Sequence, residues 1–162
     1  MTATVFVDTN VFIYYLDRTN LTKHDAARLW LAELWKDRRG RISSQVLQEF
    51  YSKGTQKWPA LRAEIRTEIL ELMDWHPVPI DAGVLEGSWK IQDRFKLSFW
   101  DALIVAAAKA ASCKYLLTED LQADQELDGV LVVNPFRTCC GRLRRGEGGC
   151  LETLRRCREI WF

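Results

Sequence analysis

Short apolar runs separated by long stretches of helical periodicity constrain this chain more than any other feature. Val5-Phe6-Val7, Lys114-Tyr115-Leu116-Leu117-Thr118 and Leu131-Val132-Val133 are too brief for helices and carry β-branched, aliphatic or aromatic residues at consecutive positions. They read as strands buried on both faces. Arg41-Ile42-Ser43 is a weaker strand, and Pro77-Val78-Pro79-Ile80 is an extended segment suited to a sheet edge. Between them apolar residues recur at helical spacing. Asp8-Thr9-Asn10 can cap the segment Val11 to Leu16. Ala27, Trp30, Leu31, Leu34 and Trp35 mark a helix that Gly40 should end. Val46, Leu47, Phe50 and Tyr51 mark one that Ser44 caps and that stops near Gly54. Pro59 suits the first turn of a helix carrying Leu61, Ile65, Ile69 and Leu72. Asp81 starts another with Val84, Leu85, Ser88 and Phe95, and Phe99 to Ala111 is the most apolar of all. Strands alternating with helices predict an α/β protein, a parallel sheet covered by helices on both faces. Ligands of such sheets gather beyond the carboxyl ends of the strands.

The 162 residues suffice for one domain with its own core, so neither disulfides nor a structural metal is needed for folding. No apolar run approaches the roughly 20 residues that span a bilayer. Met1-Thr2-Ala3-Thr4-Val5 lacks the basic start of a signal peptide, so the expectation is a soluble cytoplasmic protein without membrane contact. The net charge of +1 is uneven: residues 138–162 hold six Arg and three Glu, leaving −2 for the rest. A slightly acidic body argues against gripping nucleic acid by bulk charge alone. The expected division is a domain over 1–137 and an atypical basic, Cys-containing tail over 138–162, too short to bury a core. Cys139, Cys140, Cys150 and Cys157 match no zinc spacing and read as free thiols, while Cys113 reads as a small buried residue. No Gly-rich phosphate loop is present. His24 and His76 belong to no metal pair or nucleophile triad and read as surface or structural residues.

Four acids stand where a different reading competes with an ordinary one. Asp8 follows a buried strand, where an Asp commonly caps a helix. Asp101 has Ile104, Val105 and Ala108 as helical neighbours, so its carboxylate sits on an apolar face and needs a partner or a metal, unless it serves the helix N-terminus. Glu49 borders Val46 and could be a solvated surface residue; Asp120 could be a turn residue. Taken together they come from a strand end, two helices and a strand-end loop. Such acids in one cleft would supply the oxygen ligands that magnesium and manganese take.

At these residues the chain resembles a known family. Val7-Asp8-Thr9-Asn10-Val11-Phe12, Gln45-Val46-Leu47-Gln48-Glu49-Phe50-Tyr51, Phe99-Trp100-Asp101-Ala102-Leu103-Ile104 and Leu117-Thr118-Glu119-Asp120-Leu121-Gln122 resemble, in order and spacing, the four acidic motifs of the PIN domain family. Gly129 to Phe136 resembles its last strand. The resemblance covers residues 3 to 136 and is closest to VapC-type toxin ribonucleases. It implies a three-layer α/β/α sandwich with a mostly parallel central sheet, and a Mg2+- or Mn2+-dependent endoribonuclease acting on RNA. It also implies frequent homodimers and an antitoxin protein as partner. Carried over, Asp8, Glu49, Asp101 and Asp120 are the catalytic, metal-holding acids, and Thr9 or Asn10 and Thr118 orient them by hydrogen bonds. Asp124, one helical turn after Asp120, is a further candidate acid, although many relatives have Gly there. The tail from Thr138 has no counterpart in the family pattern.

Two rivals follow from the same residues. One is a non-catalytic PIN scaffold that binds RNA or a protein. The other is a phosphatase with Asp8 as nucleophile, which wants a second acid two residues on, where this chain has Asn10.

Overall fold

In the computed structural model, which describes residues 3–138, strand β1 (Val5–Val7) is fully buried and leads straight into helix α1 (Thr9–Leu16). Helix α2 (Leu21–Lys36), strand β2 (Gly40–Arg41) and helix α3 (Ser44–Lys57) follow. A 3-10 turn over Pro59–Leu61 precedes α4 (Arg62–Leu72), and a second over Met73–Trp75 follows it. Helices α5 (Ala82–Phe95) and α6 (Phe99–Ala110) lead to strands β3 (Tyr115–Leu117), β4 (Glu126–Leu127) and β5 (Val130–Val133).

The five strands form one sheet in the order β2-β1-β3-β5-β4. All neighbours are parallel except the β4–β5 pair. The expected α/β class therefore holds: a mostly parallel central sheet with helices packed about it. The first strand is interior, between β2 and the central β3, with Val7 opposite Leu117, so the ends of β1 and β3 lie side by side. The core joins Phe6, Leu116, Leu117 and Val132 to the inner faces of the helices; in α6 every residue from Ala102 to Ala108 is buried. That unbroken apolar run is what fastens α6 to the sheet. Among the described residues no helix is long and apolar enough to cross a membrane.

Several local expectations need correction. Gly40 does not end α2; Arg38, in the left-handed conformation at φ 54°, turns the chain, and Gly40 opens β2. A Cβ there would lie 2.4 Å from the Trp75 ring, so only glycine lets β2 pass. Gly54 does not stop α3, which continues to Lys57; Gly54 is buried where α3 meets Ile65 of α4. The segment at Val78 makes a single parallel bridge to Ser43 rather than a strand. Strand β5 matches the predicted Leu131-Val132-Val133, but β4, its hairpin partner, has no counterpart among the predicted strands, and the turn between them uses Asp128 and Gly129, both at positive φ. The tail, with Cys139, Cys140, Cys150 and Cys157, lies outside the described residues.

Candidate functional site

The carboxyl ends of β1 and β3 open into a cleft of about 330 Å³, roofed by α3 and α6. Asp8, Glu49, Asp101 and Asp120 all line it. Each arrives by a different local rule. Asp8 is the residue after β1 and the N-cap of α1, its Oδ1 accepting the Thr9 N–H at 2.6 Å. Glu49 projects from the second turn of α3. Asp101 is in the first turn of α6, where its carboxylate accepts the Ser98 hydroxyl at 2.6 Å and its N–H donates back to Ser98 Oγ at 3.2 Å. This reciprocal cap satisfies an orphan N–H and sets a negative charge at a helix N-terminus. Asp120 lies in the loop after β3. The ordinary roles and the cleft position therefore coincide: Asp8 and Asp101 are caps that also face the cavity.

Thr118, fully buried, ties the strand ends together. Its hydroxyl donates to Asp8 Oδ2 at 2.8 Å and accepts from Asn10 Nδ2 at 3.0 Å and from the Asp120 N–H at 3.1 Å. One donor and two acceptors exhaust a hydroxyl. Asn10 Nδ2 also reaches Asp8 Oδ2 at 3.1 Å and Asp120 Oδ2 at 3.0 Å. Thr9 and Asn10 line the cleft as well. Asp124 does not: it is exposed, and takes a left-handed backbone at φ 63° that suits glycine and that Asp tolerates.

Four charged neighbours escaped the sequence reading. Asp17 and Glu119 line the cleft too, as do Lys53 and Lys57. Asp17 pairs with Lys57 at 2.6 Å, and Glu119 with Lys23 of α2 at 2.5 Å. Glu49 pairs with Lys53 at 2.7 Å and accepts from Gln45 Nε2 at 2.8 Å. The Glu49–Lys53 spacing of four was visible in the sequence but reads as a surface ion pair. Asp17 carried no signal, because its partner lies 40 positions away. Among the described residues no Lys or Arg forms an ion pair with Asp8, Asp101 or Asp120.

The electrostatics separate these acids. Burial pushes Asp8 up to about 6, against the hydrogen bonds from Thr118 and Thr9, and the charges of Asp120 and Glu49 add to the rise. Hydrogen bonds from Lys57 and Thr19 hold Asp17 down at about 2. Two carboxylates of one cavity are thus driven apart, one a settled ion-pair partner and the other a strained anion. Burial opposes charge on Lys53, but the Glu49 hydrogen bond and the charges of Glu49, Asp8 and Asp120 outweigh it and raise its pKa.

Among the described residues no three acid, His or Cys side chains are gathered closely enough to cage a metal by themselves. Magnesium and manganese do not require a cage, because magnesium in particular keeps several waters and takes only one or two carboxylates. The donor set here is all oxygen. Thr9 Oγ1, Asn10 Oδ1 and Gln45 Oε1 are buried without a hydrogen-bond partner, and all three residues line this cleft. Unpartnered buried acceptors beside uncompensated carboxylates fit a hydrated hard cation.

Comparison with known proteins finds the same fold elsewhere. A toxin–antitoxin complex from Klebsiella pneumoniae matches with TM-score 0.59 at 22% identity, over 82% of this chain and 98% of the other. The sarcin-ricin-loop-cleaving toxin VapC20 of Mycobacterium tuberculosis matches with TM-score 0.54 at 17% identity, over 72% and 90%. VapBC2 from Rickettsia felis, bound to a DNA fragment from its promoter, matches with TM-score 0.56 at 16% identity, over 81% and 98%. At such identities the likeness is one of fold. No curated protein sequence matches significantly. The PIN domain family model matches residues 5–125, from the first strand through the loop that carries Asp120, and the chain belongs to the PIN domain family.

Proposed function

We propose that this chain is a magnesium- or manganese-dependent endoribonuclease, the toxin of a type II toxin–antitoxin pair. The observation that carries the reading is the set Asp8, Asp101 and Asp120: three acids from three elements, lining one cleft, with no ion-pair partner among the described residues. Family membership and the toxins and toxin–antitoxin complexes that share the fold support it.

Asp8, Glu49, Asp101 and Asp120 would hold the ion. A divalent cation bound there would lower the pKa of a water and neutralise charge on the phosphodiester. Thr118 and Asn10 fix the orientation of Asp8 and Asp120, so these carboxylates need not reorganise during the reaction. Lys53, alongside Glu49, stands where it can exchange its carboxylate partner for a phosphate oxygen. Water adds to phosphorus as the bond to the 3′ oxygen breaks, giving a 5′-phosphate and a 3′-hydroxyl. Asn10, as an amide donor to three acceptors, cannot supply the general acid that a phosphatase built on Asp8 would need. The nuclease unit is residues 1–137, with 138–162 an appendage. An antitoxin partner and a homodimer belong to the same reading.

The test is cleavage of RNA by purified protein in magnesium or manganese, with a chelator control. Cleavage that stops in chelator supports the reading. RNA binding without cleavage in either metal would assign the chain to the non-catalytic scaffolds instead.

A further inference from the structure

Trp100 is 63% exposed, yet it belongs to the same helix whose residues 102–108 are all buried. An indole left in water at the edge of a well-formed core is apolar surface the fold has not used. It is also a cleft residue, next to Asp101 and one helical turn before Ile104, which lines the same cavity. Its ring is braced on one side, where Phe99 meets it edge-on at 5.2 Å.

The other aromatic ring of the cleft is already committed. Tyr14 packs edge-on against Phe136 at 5.0 Å, Lys23 Nζ stands 4.2 Å over its ring, and its hydroxyl accepts from the same ammonium at 3.0 Å. Trp35 and Trp89 are exposed as well, but neither lines the cleft. Trp100 alone among the described tryptophans combines an open ring with a place beside the acids.

We infer that Trp100 is a substrate-binding residue that stacks on the base next to the phosphate being cut. The inference rests on the cleft being the RNA site. The division of labour fits the chemistry of the lining: Lys53 on α3 can turn its ammonium from Glu49 to the backbone, while Trp100 and Ile104 offer an apolar face. Stacking on an aromatic ring tolerates any base but needs one that is free of its neighbours, which a continuous duplex does not present. Trp100 therefore makes the site select unpaired nucleotides while remaining tolerant of sequence.

The experiment titrates the full chain, in calcium to occupy oxygen ligands, with a short fluorescein-labelled single-stranded oligoribonucleotide and with the same strand annealed to its complement. Trp100→Ala should weaken single-strand binding by about tenfold or more, the scale of one lost base–aromatic stack. Trp100→Phe, which keeps a ring, should stay within about threefold of wild type, and Trp89→Ala should be unchanged. Duplex binding should be indifferent to Trp100→Ala. Thermal melts establish that each variant is folded. Single-strand binding by folded Trp100→Ala within about twofold of wild type overturns the inference, whatever the cleavage assay shows. If wild type cuts no RNA in magnesium or manganese but Trp100→Ala still loses the single strand, stacking stands and the nuclease reading falls.

Discussion

The two walls of the cleft are built by different means. On the strand wall, Asp8, Asn10, Thr118 and Asp120 are held by hydrogen bonds between residues 108 to 110 positions apart. On the helix wall, Glu49 and Asp101 take their hydrogen bonds from residues within four positions, Gln45, Lys53 and Ser98. The first wall exists only when the sheet is assembled; the second is largely a property of α3 and α6 themselves. A site made this way has one fixed side, set by the packed sheet, and one side whose side chains can adjust by local rotation.

The largest expected effect tests whether both walls take part in chemistry. Asp8→Asn and Asp101→Asn should each lower the rate of metal-dependent RNA cleavage by at least about 10²-fold. Loss in only one variant would place the chemistry on one wall. The next test concerns stability. Thr118→Val removes a hydroxyl that serves Asp8, Asn10 and Asp120, and should cost roughly 1–3 kcal/mol in urea unfolding. Ser98→Ala removes the cap of α6 and should cost about 1 kcal/mol. An equal or reversed order would erase the distinction between a global and a local wall.

A third test asks for opposite signs. Electrostatic reasoning on acids alone expects neutralisation of either Asp8 or Asp101 to relieve repulsion. The structure separates them, because Asp101 is half of a reciprocal cap and Asp8 is a carboxylate raised from 3.8 to about 6. A raised carboxyl binds its proton more tightly in the folded state. Its cost is absent below the unfolded value near 4, grows as pH rises from about 4 to 6, and is fully present above 6. Asp8→Asn should therefore stabilise the metal-free protein by about 1 kcal/mol at pH 8, since the weakened hydrogen bonds from Thr118 and Asn10 offset part of a larger electrostatic gain. The advantage should vanish below about pH 4. Asp101→Asn should destabilise by roughly 0.5–1 kcal/mol. Thermal unfolding in chelator across this pH range decides it; two variants of the same sign would show that the walls do not differ electrostatically.

The smallest effect belongs to Lys53. Lys53→Met should change stability by no more than about 0.5 kcal/mol, as for other exposed pairs at this spacing. It should nevertheless lower the slope of log affinity for single-stranded RNA against log salt by about 0.7, one phosphate contact. An unchanged slope would confine Lys53 to its pairing with Glu49.

What the sequence disclosed follows the same division. Strand ends at Asp8 and Thr118, and helix caps at Asp8 and Asp81, were legible because apolar runs and capping residues act locally. Tertiary contact set what was not. Gly40 looked like a helix terminator until Trp75 lay against it, and Gly54 like a stop until Ile65 did. The β4–β5 hairpin was hidden because a two-residue strand leaves almost no periodicity. In the site, the four acids were found by motif order, whereas Asp17, Lys57 and Glu119 were not, since their partnerships join separate elements. Trp100 and Trp30 are alike as letters; only burial tells the exposed one from the one whose indole N–H reaches the Pro135 and Thr138 carbonyls at 3.1 Å.

The interior place of β1 has a consequence for how the protein is made. Once synthesised, β1 waits for its β3 neighbour, Tyr115–Leu117, and for the Leu117 carbonyl that accepts the Asp8 N–H at 3.0 Å. At ordinary elongation rates that interval is roughly 5–20 s. Throughout it Asp8 has neither Thr118 nor Asp120 beside it. Translation that stalls or aborts anywhere in this span leaves a chain with no assembled cleft, so whatever the cleft does is confined to copies extended past Asp120.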